Sequence, residues 1–372
     1  GLIILHYRKA KGGITYEVKS TVKLPATVKL ERHGDIFSVS AAKPGGEFQP
    51  VGAVTVKLQE PVHAGIFLCA HDNSVTESAI FTNLGFQNIK PGKKRVQETS
   101  LEVMSVDTGE RKVIYKAREK FEAPNWSRDG KLYFNKGGAI YTVPVSGGKP
   151  VKLDTGDATN CNNDHGLSPD GKSLVISHNV KGASQFSIIP STGGAPKRLT
   201  TAKESCYWHG WSPDGKTLAY VGQTGKTYNI FTMPVEGGPA KQLTTDMGTT
   251  DGPDYTPDGQ YIYFNSDRTG DMRIWRMNAD GSSPQQITKD ANYSDWFPHP
   301  SPDGKMLVWL SFDKTVKDHP ANKDVVLRIM PLAGGKTRTI ATLFGGQGTI
   351  NVPSWSPDSK QIAFVSYIPI LP

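Results

Sequence analysis

The chain has 372 residues, long enough for two domains, and its 37% apolar content, 39 glycines and 26 prolines suit a turn-rich β protein with a buried core. No apolar run reaches the roughly 20 residues of a membrane-spanning helix, so no membrane span is expected. The net charge of +8 and pI near 9.1 point at first to nucleic acid, but residues 1–97 hold 13 Lys and Arg against 7 Asp and Glu, and so most of the excess. Those cations alternate along strand-like stretches without interleaved aromatics, which reads as a solvated face and no nucleic acid, with weak attraction to an acidic polysaccharide left open.

The chain opens on GLIILHY, which reads as a strand already inside a domain. The expectation is therefore that a segment carrying any export signal precedes Gly1. Residues 1–90 alternate apolar and polar in ITYEVKS (14–20), ATVKLERHG (26–34), DIFSVSAA (35–42), GAVTVKLQ (52–59) and VHAGIFLCAH (62–71). Period-two alternation between Gly and Pro predicts antiparallel strands of a small sandwich. The order KLERHGDIFSVSAA, EFQPVGAVTVKL, PVHAGIFLCAHDN, AIFTNLGFQNI resembles the later part of a concanavalin-A-like lectin or glucanase sandwich. That resemblance implies a partial sandwich with carbohydrate affinity as a family tendency. Residues 91–99 form a basic linker.

A repeat follows over residues 120–366. Its copies are NWSRDGKLYFN (125–135), GLSPDGKSLVIS (166–177), GWSPDGKTLAYV (210–221), DYTPDGQYIYFNS (254–266), HPSPDGKMLVWLS (299–311) and the final NVPSWSPDSKQIAFVS (351–366). The repeat Ser or Thr falls at 127, 168, 212, 256, 301 and 356, in steps of 41, 44, 44, 45 and 55 residues. Pro-Asp-Gly presets a turn, and the flanking alternation supplies strands. A period in the forties with four short strands per unit predicts propeller blades. The last unit ends after two strands, and its missing pair stands before the first turn, in SLEVMSVDTGERKVIY (100–115). The prediction is an all-β chain: a six-bladed β-propeller over 100–368, its last blade composite, preceded by the small sandwich. Closing the ring removes open sheet edges.

The SPDG-Lys-apolar strand and SDRTGDMRIWRMNADGS (266–282) resemble the TolB-like family of WD40-like propeller repeats. The first copy departs from the pattern with Arg128 in place of Pro, and the last with Ser359 in place of Gly. The resemblance implies a periplasmic or secreted protein, since the family includes TolB, the periplasmic part of a cell-envelope complex. Similar propellers occur in prolyl oligopeptidase-type peptidases and in oligogalacturonate lyases. The peptidase version is not expected of these residues, because they contain no GxSxG elbow.

Chemistry is expected just before the turns, where the innermost strands line the channel. Three residues before the Ser or Thr stand Pro124, His165, His209, Pro253, Pro298 and Pro353; two before stand Asn125, Gly166, Gly210, Asp254, His299 and Ser354. His165, His209 and His299, with Asp164 and Asp251 beside them, suit a divalent metal such as Mn, Zn or Ca. The same groups suit a sugar acid, a pocket of tuned pKa, or hydrated channel lining. Asn125, Asp254 and Ser354 are candidate ligand-binding residues, joined by Gln347 in FGGQGTIN, whose glycines permit close backbone approach. The insertion DKTVKDHPANKD (313–324) is expected as a loop over the channel, with His319 outside the histidine ring. Cys69 is expected buried, and a bridge between Cys161 and Cys206 stays open.

Two functions remain. One is an extracytoplasmic interaction protein presenting the channel mouth to a protein or glycan. The other is a metal-dependent lyase-like enzyme acting on acidic oligosaccharide; there the family's Gly-His order is reversed to His-Gly. Homo-oligomerisation through sandwich edge strands is a further expectation.

Overall fold

Each blade grows from its Ser/Thr-x-Asp turn. In all six copies the hydroxyl donates to the Asp two residues on, at 2.5–2.6 Å: Ser127 to Asp129, and likewise at Ser168, Ser212, Thr256, Ser301 and Ser356. The same oxygen accepts the N–H that opens the next strand, from Lys131, Ser173, Thr217, Tyr261, Met306 and Gln361. The turn ends on a residue with positive φ. Ser359 adopts φ 61° where the other copies have Gly, so the last turn keeps its geometry despite the substitution.

The computed structural model describes residues 2–59, 62, 65–70, 74–87, 96–201, 203–245 and 248–370. Five four-stranded antiparallel sheets follow in chain order, at 121–152, 161–198, 206–242, 250–286 and 293–345, here blades 1 to 5. Blade 6 is composite. Gln361–Ile370 pairs with Val96–Ser105, which pairs with Arg111–Ala117, and the innermost strand is reduced to a bridge between Trp355 and Ile362. Pairing between the first and last strands of the propeller region runs from Gln361 with Ser105 to Ile370 with Val96, so it begins before Ser100. Innermost strands of successive blades contact one another, and Gln361–Ile370 contacts Phe121–Trp126 to close the ring. Apolar clusters fill the gaps between blades, such as Trp208 with Val175, Phe186 and Tyr220.

The N-terminal region forms two small antiparallel sheets. Ile4–Tyr7 pairs with Tyr16–Lys19, and Thr27–His33, Ile36–Ala42 and Gln49–Thr55 make the second. They share a core of Val18, Val39, Ala41, Val51, Val54 and Val56. The stretch expected as a strand at 62–71 forms none over its described residues, and Cys69 is exposed rather than buried. Alternation makes a strand only where a neighbouring edge supplies hydrogen bonds. Gln49–Thr55 packs against the outermost strand of blade 5, Arg338–Gly345. Arg111 donates to the Val51 carbonyl at 2.9 Å, and Asp324 accepts the Thr55 N–H at 2.8 Å.

Candidate interaction site at the channel mouth

The innermost strands of blades 1 to 5 each carry a register shift just before the turn, between Glu122 and Asn125, Cys161 and His165, Trp208 and Gly210, Asp251 and Asp254, and Trp296 and His299. Such bulges re-aim side chains at the end of a strand. The residues five before each repeat Ser or Thr are Glu122, Asn163, Tyr207, Asp251, Trp296 and Asn351. Glu122, Tyr207 and Asp251 are partly exposed there, at the rim opposite the Pro-Asp-Gly turns.

Polar groups from different blades meet at this mouth. Asn351 donates its amide to Asp164 at 3.0 Å, from the approach to blade 6 across to blade 2. His209 Nε2 stands 3.0 Å from Asp251 Oδ1, joining blades 3 and 4. Burial pushes the Asp164 carboxyl up to about 7, helped by the nearby Asp251 and Glu122 charges and resisted by His209 and the Asn351 amide. Burial works against a charged His209, but Asp251, Asp164 and Asp254 outweigh it and hold the ring above its ordinary value. Asp251 is held below the ordinary carboxylate range: burial raises it, and His209, His319 and the Gly252 N–H more than compensate. His209 Nδ1 and the Asn351 side-chain oxygen are buried without a hydrogen-bond partner.

Most residues singled out by sequence serve the ring itself. Asn125 donates to the Pro353 carbonyl at 2.6 Å and accepts the Leu167 N–H at 3.0 Å, stitching blade 6 to 1 and 1 to 2. Ser354 donates to the Pro124 carbonyl at 2.5 Å. His299 is engaged on both ring nitrogens, with Asp254 at 3.0 Å and the Ile350 carbonyl at 2.9 Å. Burial raises the Asp254 carboxyl, and the His299 contact only partly offsets it. Gln347 opens a short turn, Gln347–Thr349, and is half-buried.

The histidines do not converge as expected. His165 is fully buried and pushed down to about 4 by desolvation; the Tyr133 and Asn163 carbonyls approach its ring without completing a well-formed hydrogen bond. Among the described residues, no three His, Cys, Asp or Glu side chains are placed to hold a metal ion. With His299 consumed by Asp254 and Ile350, and His209 by Asp251, the predicted donor set does not fit a divalent metal. The reason lies in packing. A Cβ at Gly166 would stand 2.1 Å from the Trp208 ring, and one at Gly210 would stand 2.7 Å from the Pro253 carbonyl. His-Gly therefore marks where the next blade presses in. Cys161 and Cys206 are free, buried thiols, each pushed up to about 11 by burial.

The sequence rings at two and three residues before the turn, with Asp164 and Asp251 added as flanking residues, omit Tyr207, Trp296 and Asn351, which share the ring at five with Asp251. The same counting carried further would have found them. It also left His319 outside, although the insertion returns that side chain to Asp251 at 3.9 Å.

The description "TolB beta propeller domain" matches residues 206–367. An uncharacterized protein of Agrobacterium fabrum is 50% identical over 275 residues, covering 73% of this chain and 93% of that protein. The chain belongs to the TolB-like propeller family. A TolB candidate of known structure from Agrobacterium tumefaciens is 48% identical, with a TM-score of 0.71 over 74% of this chain and 99% of that one. TolB from Acinetobacter baumannii shares the fold at 19% identity and a TM-score of 0.53, covering 67% of this chain and 64% of its own. In this TolB-like propeller no helix among the described residues is long and apolar enough to cross a membrane.

Proposed function

We propose that this TolB-like propeller is an extracytoplasmic interaction protein, periplasmic or secreted, that receives a protein partner at its channel mouth. The observation that carries the reading is the gathering of Asp164, Asp251, His209, Tyr207 and Asn351 from separate blades at one rim, with buried polar atoms left unpaired. An unpaired buried polar atom costs stability, and a ligand that pairs it recovers that cost on binding. The opposite rim, made of Ser/Thr-x-Asp turns, is satisfied within each turn.

The test is site-specific photo-crosslinking in an envelope extract. A crosslinking residue replacing Tyr207 captures a discrete partner band, and one replacing Lys172, on a turn of the opposite rim, does not. Equal capture at both positions, or capture only at Lys172, rejects the mouth as the binding face.

A further inference from the structure

The loop 314–322 joins two strands of blade 5, Met306–Asp313 and Lys323–Pro331, and carries an imidazole to the mouth. His319 Nε2 stands 3.9 Å from Asp251 Oδ2. Its ring meets Trp296 edge-on, with centroids 4.4 Å apart at 76°, and Phe297 at 5.4 Å and 65°. A carboxylate flanked by two aromatic rings is a notch for a planar cation, because ring faces are electron-rich and the carboxylate supplies the charge.

The notch is held rigidly. Phe297 is kept at φ 54°, a costly conformation for a bulky residue, with its N–H on Asn265 Oδ1 at 3.0 Å. The His209 ring stacks on Phe297 at 6.3 Å and 15° while its Nε2 fixes Asp251 Oδ1. The Gly252 N–H, at 2.7 Å, also binds Oδ1, so Oδ2 is the oxygen turned to His319. The loop is pinned as well. Lys9 pairs with Asp313 at 3.2 Å, Thr55 binds Asp324, and the Pro320–Ala321 backbone lies so close to Gly346 that a Cβ there would approach to 2.5 Å.

We infer that His319 is a built-in occupant of this notch, and that the partner displaces it with a planar cationic side chain, a guanidinium. The inference rests on the channel-mouth reading above. At 3.9 Å His319 makes no hydrogen bond to Asp251, so a guanidinium that closes to bonding distance gains what the imidazole lacks. A guanidinium also lies flat along aromatic rings, which a compact ammonium does not. No three donors converge for a monatomic ion among the described residues, which again favours an extended cation.

The test is calorimetric titration of the full chain with arginine amide, with citrulline amide, whose ureido side chain is uncharged and of nearly the same shape, as the control. Wild type binds arginine amide weakly and citrulline amide not at all. His319→Ala binds arginine amide about tenfold more tightly, because apparent affinity scales with the fraction of open notch. His319→Gln, which keeps the loop's bulk and loses the ring, also tightens it. Asp251→Asn abolishes binding in each background. Equal affinity for the two ligands, or unchanged affinity in both His319 variants with native circular dichroism, overturns the inference, as does saturable binding of calcium chloride in place of arginine amide. A negative titration with the Tyr207 crosslink intact removes the guanidinium and leaves the mouth standing; loss of the crosslink removes the mouth.

Discussion

Asp164 is the residue where burial and charge compete most openly. Its carboxyl holds a proton in the folded chain up to about pH 7, against an ordinary value of 3.8. Between those values the folded state binds more protons than the unfolded chain, so stability tied to Asp164 is present at low pH and lost as pH rises through 7. Asp164→Asn cannot ionise and still accepts from Asn351. Thermal unfolding of this variant should match wild type near pH 4 and exceed it at pH 8 by about 2 kcal/mol, allowing for relaxation around the charge. Identical pH profiles for the two proteins would show that the carboxyl is not desolvated. His165 lies on the same strand with the opposite sign: burial disfavours its charged form, so its neutral ring is stabilising above its ordinary value and the benefit fades as pH falls towards 4.

At the scale of elements, the N-terminal sheets and the blade 5 insertion act together. Asp324 takes the Thr55 N–H and hydroxyl, and Lys9 takes Asp313, so both ends of the loop are fastened to the N-terminal region while its tip rests on the mouth. Lys9→Ala with Asp324→Ala should raise amide hydrogen exchange across 314–322 and leave Met306–Asp313 protected. Unchanged exchange in the loop would mean that Gly346 and His319 hold it unaided. The glycines of FGGQG predict a place where this chain's backbone comes close to a ligand. The close approach is real, but the neighbour at Gly346 is the protein's own Pro320–Ala321, and at Gly348 it is the Glu122 side chain. Sequence shows that space is required and does not name the occupant.

For the whole molecule, ring closure concentrates on one buried charge. Glu102 is fully buried in the composite blade, bound by Arg111 at 2.8 and 2.9 Å and by Ser366 at 2.5 Å, and the same Arg111 reaches Val51. The two ends of the propeller region, at Glu102 and Ser366, and Val51 of the N-terminal sheets thus meet on one Glu102–Arg111 pair. Glu102→Ala strands that cation and should cost about 3–5 kcal/mol, read as a lower denaturation midpoint of one cooperative transition. Lys131→Ala breaks an exposed pair with Asp129 and should change stability by no more than about 0.5 kcal/mol. Comparable losses in the two variants would place closure elsewhere.

The repeat is written in short-range chemistry, and so it is legible. Ser-Pro-Asp-Gly fixes a turn through bonds two to five residues apart, the alternation fixes the strands, and the leftover half-units at 100–115 and 351–366 require a composite sheet. Blade order and the composite closure therefore follow from sequence alone. The site does not, because its contacts join residues far apart in the chain: Asn351 to Asp164, His319 to Asp251, His299 to Ile350. Which histidine is consumed by packing and which is left at the rim depends on bulges and blade contacts that no local pattern encodes. Local pattern is thus enough to predict a TolB-like ring with polar groups before its turns. That these groups pair with one another across blades emerges only in three dimensions, since desolvation and hydrogen bonding act between strands brought together by the fold.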